Sequence, residues 1–424
     1  MINSFRRRAE KYLLGLPLLT WILLGFLTTF ILFFIRPIFF DPSLTMKFYQ
    51  YIDVLTPIGF DFRGIVAYSN TWFRSGTIPV IIYPPLTLIF FAPFTFVSYE
   101  TGYKILVGIT IICYLSTTLI IPRWLNQEKN ISAFAMLIMV TGLFSYGLQF
   151  ELERGQWNLI AFSLSVAAIC IFHRKPKYRW FAYLLFSISV QLKLYPAIFV
   201  FTFIEDFSDW KNNIKRIVGL GIFNILVLFI FGMTPIFKSI DWLNINSNVS
   251  SSYGNLSIAS FTSIFFSKRT LPQKRIILWL IANRWFPQSF FFILLGLCFF
   301  LILYQACKRK ATGFNPYVFL ACFIGACIIP SISFDYKLSM LPASIAISVP
   351  EILLSEESKN RPFAILLAFV FSVAYSSMLY SYADKPRFLQ NNFPALLLML
   401  ITCTILSCIK SNKPINNSAG DSKL

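Results

Sequence analysis

The sequence predicts an all-α polytopic membrane protein with about twelve transmembrane helices. Hydrophobic residues make up 57% of its 424 residues and charged residues only 13%, so the chain could not cover a soluble fold of this size with polar side chains. Apolar runs also recur throughout, and several reach the roughly 20 residues that a helix needs to cross a bilayer. We therefore interpret the long apolar runs as transmembrane spans.

The first span follows three arginines at 6–8, a basic start typical of a signal peptide. Its apolar run is too long and lacks a small-residue cleavage site, so we expect it to be retained. Residues 180–206 are interrupted by Lys193 and Pro196, and we divide them into two short helices. The predicted spans are 14–35, 102–121, 131–149, 157–172, two within 180–206, 214–232, 289–307, 315–330, 337–350, 362–380 and 393–410.

Basic loops fix the orientation, because Lys and Arg concentrate in cytoplasmic loops. With the N-terminus inside, dividing 180–206 puts the basic loops at 308–310 and 359–361 on the cytoplasmic side, whereas an undivided span would put them outside. The division is therefore favoured. We expect one transmembrane domain over residues 1–410, followed by a polar cytoplasmic tail at 411–424, as a multi-pass protein of the cell (plasma or inner) membrane.

Two long segments fall on the outer side, at about 36–101 and 233–288. In the first, residues 61–75 place apolar side chains at spacings of three and four, as in a helix that lies on the membrane surface. The apolar run at 86–97 is too short to cross, and it predicts an interfacial or re-entrant helix.

The net charge of +19 comes from lysines and arginines dispersed over short loops. This pattern indicates contact with anionic membrane lipids rather than with nucleic acid. The eight cysteines all fall inside predicted spans, where we expect them to act as small packing residues. The outer side lacks an Asp-x-Asp pair, and the single histidine, His173, is predicted to be cytoplasmic. We therefore expect no metal ion, no cofactor and no nucleic-acid partner.

Polar motifs cluster on the predicted outer side of the spans. Charged groups close to hydrocarbon are costly, so such clustering indicates a functional site. The motifs are Asp61, Glu-Arg-Gly-Gln at 153–156, Lys-Leu-Tyr-Pro at 193–196, Gly-Asn-Leu-Ser at 254–257 and Asp-Tyr-Lys at 335–337. Four basic residues between 268 and 275 are more simply interpreted as a solvated or lipid-facing group.

Asp61 and two lysines offer acid–base and charge chemistry. Partial burial in an aromatic loop would suit Asp61 as a general base, although it could equally cap the helix that follows. Lys193 sits at a helix break in an apolar stretch, where it could face an anionic group or extend to the membrane interface. Lys337 could do the same or form a salt bridge with nearby Asp335.

In chain order, these motifs resemble those of glycosyltransferase family 87, over roughly residues 61–342. The matching segments are Asp-Phe at 61–62 with Gly76, Tyr-Pro-Pro-Leu at 83–86 and Pro93; Gly-Gln-Trp-Asn at 155–158; Leu-Lys-Leu-Tyr-Pro at 192–196; Gly-Asn-Leu-Ser-Ile at 254–258; and Pro-Ser-Ile-Ser-Phe-Asp-Tyr-Lys at 330–337 with Pro342. The sequence departs from the family pattern at Phe334, where Trp is usual, and at Tyr336 and Lys337, where His is usual. Both departures lie where the family handles its donor.

The resemblance implies an integral-membrane enzyme of the C-type glycosyltransferase superfamily (GT-C). Its members transfer a sugar, classically mannose and sometimes arabinofuranose, from a polyprenyl-phosphate donor to a glycolipid or glycan acceptor. The resemblance further implies an inverting, metal-independent transfer at the outer membrane face, with Asp61 as the base. With such a donor, Lys193 and Lys337 would bind the phosphate. The candidate substrate-binding residues are Tyr83, Arg154, Gln156, Asn158, Tyr195, Asn255, Ser257 and Asp335.

Two other functions remain open from the residues alone. A transporter or flippase of a lipid-linked saccharide would place polar groups near the bilayer midplane and often shows two halves of similar pattern. The sequence shows no such repeat, and its polar motifs lie toward one face. A non-catalytic membrane scaffold would leave that asymmetry unexplained.

Overall fold

The structure is a computed structural model. It describes residues 59–76, 79–125, 133–247, 254–265, 285–354 and 391–409, apart from positions 82 and 144, together with short pieces at 12–13, 16–17 and 283 and parts of 362–370. The predicted spans at 14–35 and 362–380, the basic group at 268–275 and the tail at 411–424 lie wholly or largely outside these residues. Two short strands, β1 (Tyr12–Leu13) and β2 (Leu16–Pro17), pair antiparallel near the start of the chain, β2 within the predicted first span.

Helices make up the rest of the described regular structure. The first half contains α1 (Phe60–Ser75), α2 (Thr87–Phe91), α3 (Tyr99–Leu115), α4 (Ile121–Leu125), α5 (Ala133–Leu143), α6 (Tyr146–Arg154), α7 (Asn158–Arg174) and α8 (Arg179–Leu192). The second half contains α9 (Trp210–Leu228), α10 (Thr234–Ser247), α11 (Ile258–Phe265), α12 (Trp285–Lys308), α13 (Pro316–Ile328), α14 (Leu341–Leu354) and α15 (Phe393–Ile409). The 3-10 segments are Ala92–Phe96, Pro176–Tyr178, Tyr195–Phe203 and Asp335–Met340, and a π-helical turn, Ser116–Ile120, joins α3 to α4.

Two of the described helices are long and apolar enough to cross a bilayer, namely the continuous helix Tyr99–Leu125 and α12. The pair α5 and α6, which is bent by 50° at a short break, is a third candidate. Shorter apolar helices are Thr87–Phe96, α7, α13 and α15. This helical, apolar architecture is that of a membrane protein, while the number of twelve crossings stays a prediction.

Burial separates central helices from peripheral ones. Every residue of α13 is buried, and Phe319 in this helix packs against Phe162 of α7 and against Phe199. α12 is also apolar, yet it exposes large side chains such as Phe290 and Ile293. Apolar side chains remain exposed on a helix that faces lipid. α13 therefore belongs to the centre of the described bundle, and α12 to its periphery.

The predicted interruption of residues 180–206 is confirmed. α8 ends at Leu192, Lys193 has an extended backbone (φ −155°, ψ 141°), and the chain continues as the 3-10 segment Tyr195–Phe203. Pro196 lies in the first turn of that segment, where its missing N–H and its ring prevent α8 from continuing. The break places Lys193 inside the bundle, while two separate crossings stay a prediction.

The helices predicted in the first outer loop are present as α1 and as α2 with its 3-10 extension. Phe62 of α1 is buried, and its ring packs edge-on against Phe94 with centroids 5.2 Å apart. The N–H of Gly59, just before α1, donates to the carbonyl oxygen of Glu153 at 2.7 Å. These contacts fix the start of α1 against the end of α6, and they determine where Asp61 lies.

Candidate active site

Asp61 is held by side chains from the last residue of α6 and from the turn that follows it. Arg154 donates to both carboxylate oxygens, from Nε at 2.8 Å and from Nη2 at 2.7 Å, and Gln156 Nε2 donates at 2.7 Å. The N-cap of α1 is Gly59, and no side chain within the described residues caps that helix. Asp61 therefore faces α6 and its turn, and the capping alternative does not describe its contacts.

Gly155 makes this approach possible. It ends α6 in the left-handed conformation (φ 65°), which glycine adopts most easily. A Cβ at this position would lie 2.7 Å from the Cβ of Phe62 and 3.1 Å from the Cα of Gly59. Only a glycine allows the turn and α1 to come this close, and the turn then directs Arg154 and Gln156 toward Asp61.

Lys193 is a buried ammonium in an aromatic cage. Its Nζ lies 4.6 Å from the ring centroid of Trp157, 5.1 Å from that of Tyr83 and 5.5 Å from that of Tyr336. It donates a hydrogen bond to Gln156 Oε1, which is its one acceptor among the described residues. The side chain is 6% exposed, so it is enclosed by protein rather than extended over the surface. An ammonium has three N–H donors, so two of those of Lys193 have no acceptor among the described residues.

Gln156 joins the two charged groups. Its Nε2 donates to Asp61 and its Oε1 accepts from Lys193. Because a carboxylate can only accept and an ammonium can only donate, these partners fix the orientation of the amide. Gln156 Nε2 also lies 3.4 Å from the hydroxyl of Tyr83. Burial, with the Asp61 carboxylate nearby, raises the pKa of Tyr83, so this hydroxyl keeps its proton near neutral pH. We call Asp61, Arg154, Gln156 and Lys193 the Asp61–Lys193 line.

Asn158 and Tyr195 follow Gln156 and Lys193, respectively, by two residues in the sequence. The hydroxyl of Tyr195 donates to the carbonyl oxygen of Asn158 at 2.6 Å, which ties the segment after Lys193 to the start of α7. The side chain of Asn158 is fully buried, and neither its amide oxygen nor its amide nitrogen has a hydrogen-bond partner among the described residues. Because buried amides in proteins are usually hydrogen-bonded, this side chain is a candidate ligand contact.

Lys337, the second predicted phosphate ligand, has a different partner. Its Nζ donates to the carbonyl oxygen of Ala326 at 3.0 Å and lies 5.1 Å from the ring centroid of Tyr195. Ala326 is in the last turn of α13, where carbonyl oxygens lack helical partners and a cation is stabilised by the helix dipole. The contact caps α13.

The Gly-Asn-Leu-Ser motif at 254–257 is hydrogen-bonded to the segment at 331–333. Asn255 Nδ2 donates to Ser331 O at 2.9 Å, and Asn255 Oδ1 accepts from the N–H of Ser257 at 3.1 Å and of Ser333 at 3.0 Å. The hydroxyl of Ser257 also donates to Ser331 O, at 3.0 Å. We call Asn255, Ser257, Ser331 and Ser333 the asparagine–serine wall. Its side chains bind backbone groups and so hold two distant segments together.

Asp335 extends this wall, and two residues that the sequence analysis missed support it. Asn392 Nδ2 donates to Asp335 Oδ1 at 3.3 Å, and Asn391 Nδ2 donates to the carbonyl oxygen of Asn255 at 2.8 Å. Both asparagines are buried just before α15. In the sequence, two asparagines ahead of an apolar run are typical of a helix cap, so the pattern gave no signal of this contact.

Glu151 is a further residue that the sequence analysis missed. Its carboxylate is fully buried. One oxygen accepts from the N–H of Leu159 at 2.7 Å, and the other accepts from the hydroxyl of Ser339. In the sequence, a carboxylate beside an apolar run could have indicated a buried polar contact. The predicted span ended at residue 149, however, and placed Glu151 in a loop.

The described residues contain no group of three His, Cys, Asp or Glu side chains that could hold a metal ion. The charge opposite Asp61 is supplied by Arg154. Metal-independent transfer stays a prediction, to be tested in solution.

The comparison with protein families identifies the chain. A sequence model of glycosyltransferase family 87 matches residues 81–330, more than half of the chain. The matched range includes Gln156 and Lys193, while Asp61 and Asp335 lie just outside it. No curated protein and no solved structure gives a significant match.

Proposed function

Since the chain belongs to glycosyltransferase family 87, we propose that it transfers a sugar, with mannose as the expected one, from a polyprenyl-phosphate donor to a glycolipid or glycan acceptor. Membership of this family favours a transferase over the transporter and the scaffold. One observation carries the finer proposal. The Asp61–Lys193 line places a candidate base and a candidate phosphate ligand at the two ends of one amide, that of Gln156.

The donor phosphate is assigned to Lys193. A polyprenyl-phosphate sugar keeps its tail in the bilayer and its anionic phosphate at the interface, so its binding site needs a fixed positive charge at the edge of the hydrocarbon. Lys193 meets this need, because its ammonium is buried and Gln156 Oε1 is its one acceptor among the described residues. Phosphate oxygens would occupy the remaining N–H donors. The rings of Trp157, Tyr83 and Tyr336 exclude water around this charge and strengthen its attraction for an anion.

The acceptor hydroxyl is assigned to Asp61. In a single displacement, the acceptor oxygen forms a bond to the anomeric carbon while the bond from that carbon to the phosphate oxygen breaks. The proton of the hydroxyl passes to Asp61, and the electron pair leaves with the phosphate toward Lys193. Attack from the face opposite the phosphate inverts the anomeric configuration. Arg154 and Gln156 hold the carboxylate in one orientation for this step.

A donor-supply assay tests this function directly. Purified protein in lipid is given a radiolabelled polyprenyl-phosphate mannose, glucose or arabinofuranose with a membrane lipid extract as acceptor. We expect label to move from the mannosyl donor into a new lipid or glycan product. The corresponding sugar nucleotide, supplied alone to the purified protein, should transfer nothing. Transfer from the sugar nucleotide without any polyprenyl phosphate would overturn the proposal.

We further propose that the site faces the non-cytoplasmic side of the cell membrane. The basic loops support this orientation, because they put both long loops, 36–101 and 233–288, outside. Single cysteines introduced at Ser43 and Ser252 in a cysteine-free background should react with an impermeant thiol reagent in intact cells. Reaction at either position only after the cytoplasmic face is opened would contradict the orientation.

A further inference from the structure

Glu151 occupies a position that the transfer chemistry does not use. Its carboxylate is fully buried, and a buried charge among apolar residues is costly unless several groups stabilise it. The N–H of Leu159 and the hydroxyl of Ser339 both donate to its oxygens. The two donors come from segments that are distant from each other in sequence.

The hydrogen bonds of Glu151 fix the turn between α6 and α7 at both of its ends. On one side, the backbone carbonyl oxygen of Glu151 accepts from the N–H of Gln156 at 2.9 Å. On the other, its side chain accepts from the N–H of Leu159, which is in the first turn of α7 and would otherwise lack a helical partner. The turn at 155–158 is therefore held at both ends by one residue.

The same side chain ties this turn to the 3-10 segment Asp335–Met340. The backbones are already close there, since a Cβ at Gly147 of α6 would lie 2.6 Å from the carbonyl carbon of Leu338 and from the nitrogen of Ser339. The bond from Ser339 to Glu151 adds a fixed polar contact within this packing. The segment that carries Tyr336, one ring of the Lys193 cage, thus has a defined position relative to Gln156.

We propose that Glu151 is a positioning residue that acts through Gln156. By fixing the turn at 155–158, it keeps the amide of Gln156 between Asp61 and Lys193. The proposal rests on the proposed function, because it assumes that these two residues meet the acceptor and the donor phosphate.

The test is a double-mutant cycle on the transfer reaction with Glu151→Ala, Gln156→Ala and the double variant. A displacement of about 1 Å in a positioned group can cost on the order of 100-fold in rate, so we expect Glu151→Ala to lower kcat/KM by about 10- to 100-fold. In the Gln156→Ala background the same change should cost less than about threefold, since the group that Glu151 positions is already absent. Full additivity would overturn the proposal.

Two further variants separate positioning from a general loss of structure. Glu151→Gln keeps the acceptor for Leu159 and can donate to Ser339, so it should retain kcat/KM within about fivefold of the wild type. Gln149→Ala, on the same helix, removes a side chain that donates to Leu143 O, and it should leave kcat/KM unchanged. A Glu151→Gln enzyme as impaired as Glu151→Ala would contradict the proposal.

If Glu151→Ala does not fold, Ser339→Ala replaces it in the cycle, because it deletes one of the two bonds and should show the same non-additivity with Gln156→Ala. The proposed function is tested separately by the wild-type protein. If that protein transfers nothing from polyprenyl-phosphate sugars, the function fails, and the same variants are compared with the donor that does label a product.

Discussion

The Asp61–Lys193 line and the asparagine–serine wall are both largely buried polar regions, and they direct their hydrogen bonds to different partners. In the line, side chains bind one another, as Gln156 does with Asp61 and Lys193. In the wall, side chains bind backbone groups, as Asn255 does with Ser331 and Ser333. A substrate can displace or join side-chain contacts, whereas contacts with the backbone are part of the fold. The line is therefore where we expect chemistry, and the wall where we expect support.

The two buried lysines show the same contrast. Lys193 has the amide of Gln156 as its partner and three aromatic rings around it. Lys337 caps α13 through the carbonyl oxygen of Ala326. Both residues were predicted to bind phosphate, and both are buried. What distinguishes them is the partner: Lys337 donates to a backbone carbonyl at the end of α13, whereas Lys193 donates to a side-chain amide that a ligand can displace.

Replacing the base should give the largest effect. Asp61→Asn keeps the size of the side chain and its bond with Gln156 but cannot take a proton from the acceptor. Loss of a general base typically lowers the rate by about 10²- to 10⁴-fold, so kcat should fall by that factor while donor binding is retained. The control is Asp53→Asn in the same predicted outer loop. A folded Asp61→Asn enzyme with near-normal kcat would place the base elsewhere, with Asp335 the next candidate.

Disrupting the asparagine–serine wall should lower the stability of the protein more than its affinity for the donor. Asn255→Ala leaves the buried N–H groups of Ser257 and Ser333 without their acceptor, and each such loss costs about 1–3 kcal/mol. We expect the apparent Tm of the detergent-solubilised protein to fall by several degrees, with the donor KM of the folded fraction little changed. Thr262→Ala is the control, since that hydroxyl bonds to carbonyls of its own helix. An unchanged Tm with a large rise in donor KM would make Asn255 a substrate ligand.

Removal of divalent metal should have the smallest effect. Arg154 already supplies the positive charge beside Asp61, and Lys193 is assigned to the phosphate. Transfer by the purified enzyme should therefore continue at an unchanged rate in excess EDTA. Activity that is lost in EDTA and restored by Mg²⁺ or Mn²⁺ would show that transfer needs a metal ion in addition to the residues of the Asp61–Lys193 line.

Local features of the sequence predicted the helix and the helix break that position the Asp61–Lys193 line, whereas long-range contacts could not be predicted from it. The break at Lys193 follows from Pro196, three residues away, and the helix at 61–75 follows from its apolar spacing. Glu151 was missed because its partner Ser339 lies 188 residues further along the chain. The contact of Lys337 with α13 was missed for a similar reason, since it depends on where the fold places the carbonyl oxygen of Ala326, in the last turn of that helix. Periodicity predicts elements, but it does not predict which distant backbone group a buried side chain will meet.

The central claim is that the donor phosphate binds Lys193. It is tested most directly by measuring the binding of polyprenyl phosphate to the Lys193→Ala and Lys337→Ala variants in the same lipid. A hydrogen bond to a charged group contributes about 1.5–3 kcal/mol, so Lys193→Ala should weaken binding by about tenfold or more. Lys337→Ala should bind within about twofold of the wild type and show a lower Tm, because it loses the cap of α13. Unchanged affinity in Lys193→Ala, or an equal loss in both variants, would contradict the account.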